Sequence, residues 1–206
     1  ISGRSLLIGA ALFAIGLTNT LAFAPYQMTM LPLLTLALLA FAVSIAESKG
    51  QAAWFGFAYG IGWFATGVSW VHVSIATFGG MPLMASLAIM ALLVGYLALF
   101  PALASWFSWR FRGNFWFPLL LASCWFIAEN IRSWFLTGFP WLSVGYSQTD
   151  GWMAPWATVI GETGISFLML FIAGSVAVAV HSKLWVWPAI AAILLAVSPV
   201  LTAVQG

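Results

Sequence analysis

The sequence predicts an all-α integral membrane bundle with about seven transmembrane helices and a cytoplasmic N-terminus. Three observations support this fold class: hydrophobic residues fill 64% of the 206 positions, charged residues only 5%, and the mean hydropathy is +1.08. A soluble domain carries roughly 25% charged residues, so this chain has too few charges to solvate an ordinary surface. Lipid must therefore be the solvent for most of its outside.

A transmembrane helix needs about 20 mainly apolar residues. Each long apolar run is therefore predicted as one span, and the residues that interrupt the runs mark the ends of the spans. Pro25 ends the first run, the polar stretch beginning at Glu47 ends the second, and the Gly79-Gly80-Met81-Pro82 turn follows the third. In the third run, Gly56 and Gly60 match the small-xxx-small pattern of packed membrane helices. A single domain over 1–206 is predicted, with spans 5–24, 31–46, 52–75, 83–107, 115–134, 160–180 and 184–203 and an outer aromatic loop at 135–158.

The basic residues predict the orientation of these spans. A cytoplasmic N-terminus places five of the six lysines and arginines on the inner side and only Arg132 on the outer side, as the positive-inside rule requires. An odd number of spans then leaves Gly206 outside. The inner five are Arg4, Lys49, Arg110, Arg112 and Lys183.

Two opposite charges near the outer end of the fifth span form the first candidate site. Glu129 and Arg132 are one turn apart and share a helix face. Counting ~1.5 Å per residue, Glu129 lies roughly 8 Å below the end of the span. An ionisable side chain at such a depth usually faces a partner or a cavity. Two interpretations stay open: an ion pair that locks the span against its neighbours, and a polar cavity that holds a lipid headgroup or the reacting ester.

The outer loop at 135–158 supplies two further candidates for lipid binding, Trp141 and Tyr146. Aromatic rings settle at the membrane–water boundary, so a plain aromatic belt explains them. The glycines and prolines of the loop also favour a fixed path along the membrane, which suits a docking platform for lipid or for another domain. Glu162, in the first turn of the sixth span, is interpreted as a helix-dipole residue.

No catalytic residue, metal site or cofactor site is predicted. The sequence lacks a Gly-x-Ser-x-Gly elbow and a His-Glu-x-x-His motif. His72 and His181 fall on opposite sides of the predicted membrane and cannot share a metal. The single Cys124 lies within the fifth span, where a low dielectric disfavours the nucleophilic thiolate. A net charge of +2 gives no reason to expect nucleic acid as a partner.

Six short blocks, spread in order along the chain, resemble the membrane half of the apolipoprotein N-acyltransferases, the last enzymes of bacterial lipoprotein maturation. The blocks at 76–82 and 136–148 are the most specific together. The blocks are Leu-Ala-Phe-Ala-Pro at 21–25, 70–74, Ala-Thr-Phe-Gly-Gly-Met-Pro at 76–82, Glu129-x-x-Arg132-x-Trp134, Leu-Thr-Gly-Phe-Pro-Trp-Leu at 136–142 and Gly-Tyr-Ser-Gln at 145–148.

The resemblance implies a multi-pass protein of the bacterial inner membrane that carries a periplasmic nitrilase-like domain in the same parent chain. In that family, the domain's Glu-Lys-Cys machinery takes an acyl chain from a phospholipid and passes it to a diacylated lipoprotein. None of this machinery maps onto the present sequence. We therefore expect a fragment that is inactive alone, anchors the catalytic domain and helps lipid substrates to reach it.

Two other classes of function remain alternatives: a fragment of a transporter or channel, and a non-catalytic membrane scaffold. A transport pathway needs buried charges along its length, whereas the acidic residues here gather toward one side. The chain also lacks an obvious internal repeat, which weighs against an inverted-repeat transporter.

Overall fold

The computed structural model describes residues 2–183 and 185–205. Every regular element in these ranges is helical, which confirms the all-α fold class. Residues 1, 184 and 206 lie outside the described residues. All three belong to the predicted domain, and residue 184 is the predicted start of its seventh span. The α-helices are α1 Gly3–Thr18, α2 Leu31–Ile45, α3 Lys49–Gly67, α4 Trp70–Gly79, α5 Leu83–Ser108, α6 Phe117–Trp134, α7 Ala157–Ser182 and α8 Val186–Gln205.

Three helical stretches among the described residues are long and apolar enough to cross a membrane: Gly3–Ala22, Leu83–Phe111 and Ala154–His181. Helices α3 and α4 add a fourth if the pair, bent by 50°, counts as one span. Two further apolar stretches, Leu31–Ile45 in α2 and Val186–Ser198 in α8, are shorter than these. In α6, the polar residues near its end lower the mean hydropathy. The count of seven spans therefore stays a prediction.

Local signals in the sequence set the helix ends. The hydroxyls of Ser2 and Ser48 accept the N–H groups of Ser5 and Gln51 and so cap α1 and α3. At the end of α4, Gly80 adopts the left-handed conformation (φ 63°) that terminates a helix, and the next helix begins after Pro82.

Helix α3 lies at the centre of the bundle, and its glycines allow close packing on two sides. A Cβ on Gly56 would collide with the carbonyl oxygen of Pro101 on α5, and one on Gly60 would press on Ala98. On the opposite side, a Cβ on Gly62 would collide with the carbonyl oxygen of Phe13 on α1. The small-xxx-small pair of α3 thus serves helix packing.

A buried polar triad joins the first three helices. Asn19 follows α1, Thr35 lies on α2 and Tyr59 lies on α3, and all three are at most 2% exposed. The Thr35 hydroxyl donates to Asn19 Oδ1 at 2.6 Å and lies 3.1 Å from the Tyr59 oxygen, which also accepts the Asn19 amide. Each polar group therefore has a partner inside the apolar core, as a membrane interior requires.

Contacts between helix ends show which charges share an end of the bundle. Gln51 donates to the Ser5 hydroxyl at 2.7 Å, Trp109 to the Ala46 carbonyl at 2.8 Å, and Trp187 to the Phe115 carbonyl at 2.6 Å. These contacts place the sequence neighbourhoods of all five predicted inner basic residues at one end, here called the basic end.

The opposite end carries Arg132 and the chain that follows it. Contacts there include the hydrogen bond from Gln148 to the Thr29 carbonyl at 2.6 Å. Five basic residues are thus found near one end of the bundle, and Arg132 lies at the other. Which end faces the cytoplasm stays a prediction.

Candidate functional site

The candidate site begins with an ion pair at the end of α6. Arg132 Nη2 lies 3.4 Å from Glu129 Oε1, and the side chains are only 3% and 6% exposed. The two residues share one helix face, as their spacing predicts. Their burial means that neither charge is solvated, so the rest of the structure must supply their remaining partners.

Those partners come from the backbone of the chain that follows α6, residues 135–148, here called the return loop. Arg132 Nη1 donates to the carbonyl oxygens of Phe139 at 3.0 Å and Trp141 at 2.7 Å. Glu129 Oε1 accepts the N–H of Val144 at 3.0 Å. The ion pair therefore clamps the return loop against the end of its own helix.

The return loop needs such a clamp because its backbone is unusual. Leu136, Thr137 and Leu142 have φ values of 49°, 73° and 59°, in the left-handed region that side chains disfavour. Residues held there cost on the order of 1–3 kcal/mol each and persist only where their surroundings fix them. The hydrogen bonds of Arg132 and Glu129 supply part of that constraint.

A second carboxylate holds the same loop from α7. Glu162 follows Gly161, whose φ of 68° and ψ of 177° interrupt the helix. The Ser143 hydroxyl donates to Glu162 Oε2 at 2.6 Å, and the Gly145 N–H donates to the Ser166 hydroxyl at 2.8 Å. Glu162 thus does more than face a helix dipole, because it fixes the loop. Sequence reasoning missed Ser143 and Ser166, since no spacing pattern links serines so far apart.

A cavity of about 10 Å³ lies beside the ion pair, lined in part by Trp63 and Trp125. Such a space fits about one water molecule and is far too small for a lipid headgroup. Two buried polar atoms of residues that line this cavity, Trp63 Nε1 and Glu129 Oε2, have no hydrogen-bond partner among the described residues. This geometry favours the ion-pair interpretation of Glu129 and Arg132 over direct binding of substrate.

Trp141 and Tyr146 lie in a different environment. Their side chains are 61% and 45% exposed and line an open, mainly apolar groove of about 390 Å³, here called the aromatic groove. Trp70 and Phe23 line its other side, and Gly67 packs against Leu142 where α3 bends into α4. The groove therefore depends on the bend and on the return loop, and it has the size and polarity to accept an acyl chain.

The four predicted lipid-binding residues thus divide into two neighbouring groups. Glu129 and Arg132 lie in the core, and Trp141 and Tyr146 lie at the surface. The Trp141 carbonyl joins them, because it accepts from Arg132 while the indole ring of the same residue lines the groove. Cys124 is half-buried on α6 in apolar surroundings.

The chain is similar to one known family of proteins over most of its length. The family described as the apolipoprotein N-acyltransferase N-terminal domain matches residues 15–175. An apolipoprotein N-acyltransferase of Vibrio vulnificus is 48% identical over 174 residues, which cover 83% of this chain and 34% of that protein. The enzyme of that name from Vibrio cholerae is 46% identical over 194 residues, covering 93% and 38%. The corresponding protein of Shewanella oneidensis is 41% identical over 203 residues, covering 94% and 39%. The chain thus spans little more than a third of the length of these relatives.

Proposed function

This chain belongs to the family of apolipoprotein N-acyltransferase N-terminal domains, and we propose that it anchors the catalytic domain of such an enzyme in the bacterial inner membrane and guides lipid substrates to it. The proposed partners are a phospholipid acyl donor, a diacylated lipoprotein and a periplasmic nitrilase-like domain. The relatives are long enough to hold a further domain, because the match covers 34–39% of their length.

The aromatic groove is the observation that supports a role in holding substrate. Both proposed substrates carry acyl chains, and an apolar groove can hold such a chain through van der Waals packing, as neighbouring lipid tails do. Trp141 and Tyr146 are the side chains proposed to contact such a chain, since their rings are exposed along the groove. Holding two acylated substrates beside a nucleophile lowers the entropic part of the reaction barrier.

Glu129, Arg132 and Glu162 are proposed to act on the substrate indirectly. Each forms a hydrogen bond with the return loop, and that loop carries the aromatic groove. Their contribution would be a fixed groove shape, which matters because small displacements of a bound substrate reduce the rate of transfer strongly.

A chimera tests the proposal directly. The matching N-terminal part of the Vibrio cholerae enzyme is replaced by this chain, and acyl transfer from phospholipid to a diacylated lipopeptide is measured in detergent. We expect transfer by the chimera and none by the chain alone. A folded chimera that inserts in membranes and binds both substrates yet forms no product contradicts the proposal and favours a non-catalytic scaffold.

A further inference from the structure

A second apolar groove runs along the seam between α5 and α6 and is here called the seam groove. It has a volume of about 280 Å³, with Leu103, Phe107 and Phe111 on one wall and Cys124, Ile127 and Ile131 on the other. From Phe100 to Phe111 the groove is about 16 Å long at ~1.5 Å per residue. That is about half of the ~30 Å hydrocarbon core, the depth of one leaflet.

The seam groove leads to a cluster of cations and tryptophans at the basic end. Its last lining residue, Phe111, lies between Arg110 and Arg112 in the sequence. The Arg112 guanidinium stacks 3.8 Å from the centre of the Trp109 ring, and the Lys49 ammonium lies 5.0 Å from the Trp106 ring. The Trp109 indole donates to the Ala46 carbonyl, which ties the end of α5 to the chain just before α3. Lys49, Arg110 and Arg112 thus lie at the same end of the bundle.

Within the described ranges, no carboxylate lies close enough to these cations to form an ion pair. In the part of the chain that the structure describes, the Arg132–Glu129 contact is the one ion pair within 4.0 Å, so Lys49, Arg110 and Arg112 form none. Glu47 is the acidic residue closest in sequence and is exposed. Unpaired arginines at the boundary of an apolar groove suit a phosphate, because a guanidinium can donate two hydrogen bonds to one anion.

We propose that the seam groove holds one acyl chain of an anionic phospholipid whose headgroup is bound by Arg110 and Arg112, with Lys49 adding positive charge. An anionic headgroup is favoured over a zwitterionic one because the latter brings its own cation into a cluster of three. Basic pockets between helices bind anionic lipid headgroups by the same chemistry. This lipid is separate from the proposed substrates, since the aromatic groove lies at the opposite end of the bundle.

Native mass spectrometry of the purified chain tests the headgroup part. The chain is equilibrated with equal amounts of phosphatidylglycerol and phosphatidylcholine that carry the same acyl chains. We expect phosphatidylglycerol to be retained preferentially, and the preference to fall roughly fivefold for each of Arg110→Gln and Arg112→Gln. Arg4→Gln is the matched control, because Arg4 is also exposed at the basic end but belongs to α1. Equal retention of both lipids, or a preference that survives the double Arg110→Gln/Arg112→Gln variant, overturns the proposal.

A steric variant tests the acyl-chain part. Leu103→Trp fills the seam groove, whereas Leu99→Trp places the same bulk one turn earlier on α5, at a similarly exposed position outside it. We expect Leu103→Trp alone to reduce retention of phosphatidylglycerol, with both variants melting at the temperature of the unaltered chain. If Leu103→Trp retains the lipid as well as Leu99→Trp does, the headgroup is held without the groove and the proposal is wrong.

Discussion

Arg132 donates through Nη1 to the carbonyl oxygen of Trp141 at 2.7 Å, so a side chain that is 3% exposed holds the backbone of a residue whose side chain lies 61% exposed. The buried charge and the surface groove are therefore parts of one structure. A change at Arg132 should alter the groove without removing any atom that lines it.

The first prediction concerns the ion pair itself. Arg132→Gln leaves the Glu129 carboxylate buried without its counter-charge, and Glu129→Gln does the same to the guanidinium. Each single variant should lose stability on the order of 3–5 kcal/mol, the cost of stranding one buried charge. The double variant should recover part of that loss. Thermal unfolding in detergent measures all three, and an unchanged melting temperature for Arg132→Gln would show that the pair does not stabilise the fold.

The second prediction concerns the groove residues. Trp141→Ala and Tyr146→Ala remove exposed rings, so the free energy of unfolding should change by no more than about 0.5 kcal/mol. In the Vibrio cholerae chimera, the KM for the lipid substrate should rise more than kcat falls. Trp185→Ala is the control, since that indole is also largely exposed (68%) but lies near the basic end. Identical kinetics for the control and the two groove variants would remove the groove from the substrate path.

The third prediction uses two glycines with opposite surroundings. A Cβ on Gly145 would collide with the carbonyl oxygen of Glu162, whereas one on Gly95 in α5 would meet nothing within 4 Å. Gly145→Ala should therefore destabilise the chain by about 1–3 kcal/mol through overpacking. Gly95→Ala should be neutral or stabilising by up to about 1 kcal/mol, because alanine favours a helix. Equal melting temperatures for the two variants would contradict the close contact between the return loop and α7.

The fourth prediction fixes the orientation in the membrane. In a Cys124→Ala background, single cysteines replace Thr149 and Asn114, which are exposed at opposite ends of the bundle. An impermeant thiol reagent applied to intact spheroplasts should label the cysteine at 149, and the one at 114 only after permeabilisation. The five-to-one split of basic residues motivates this expectation, and the reverse labelling pattern would invert the topology.

Much of the helical architecture could be predicted because prolines, glycines and charges interrupt the apolar runs. The predicted limits 83–107 and 115–134 lie within two residues of α5 and α6. The break between α3 and α4 was missed, and the segment 52–75 was predicted as one continuous span. Nothing in the local sequence Gly67-Val68-Ser69 requires a 50° bend. At the bend, Gly67 packs against Leu142 of the return loop, and such a tertiary contact cannot be predicted from the local sequence.

The site was predictable only where side-chain spacing carries information. The pairing of Glu129 with Arg132 follows from their separation by one helical turn. The remaining partners do not, because Arg132 binds the backbone carbonyls of Phe139 and Trp141, and every residue has such a group. The division of the four candidates between core and surface likewise required the path of the return loop.

The Asn19–Thr35–Tyr59 triad has a consequence for the biogenesis of the protein. Each of the three side chains belongs to a different early segment of the chain, and Asn19 and Tyr59 would face lipid without their partners if their segments were released into the bilayer alone. The first three helices should therefore leave the translocon together, or wait beside it until the third is synthesised. Stalled nascent chains in which α3 has not yet emerged from the ribosome should still crosslink to the insertion machinery, whereas chains long enough to expose all of α3 should be free of it.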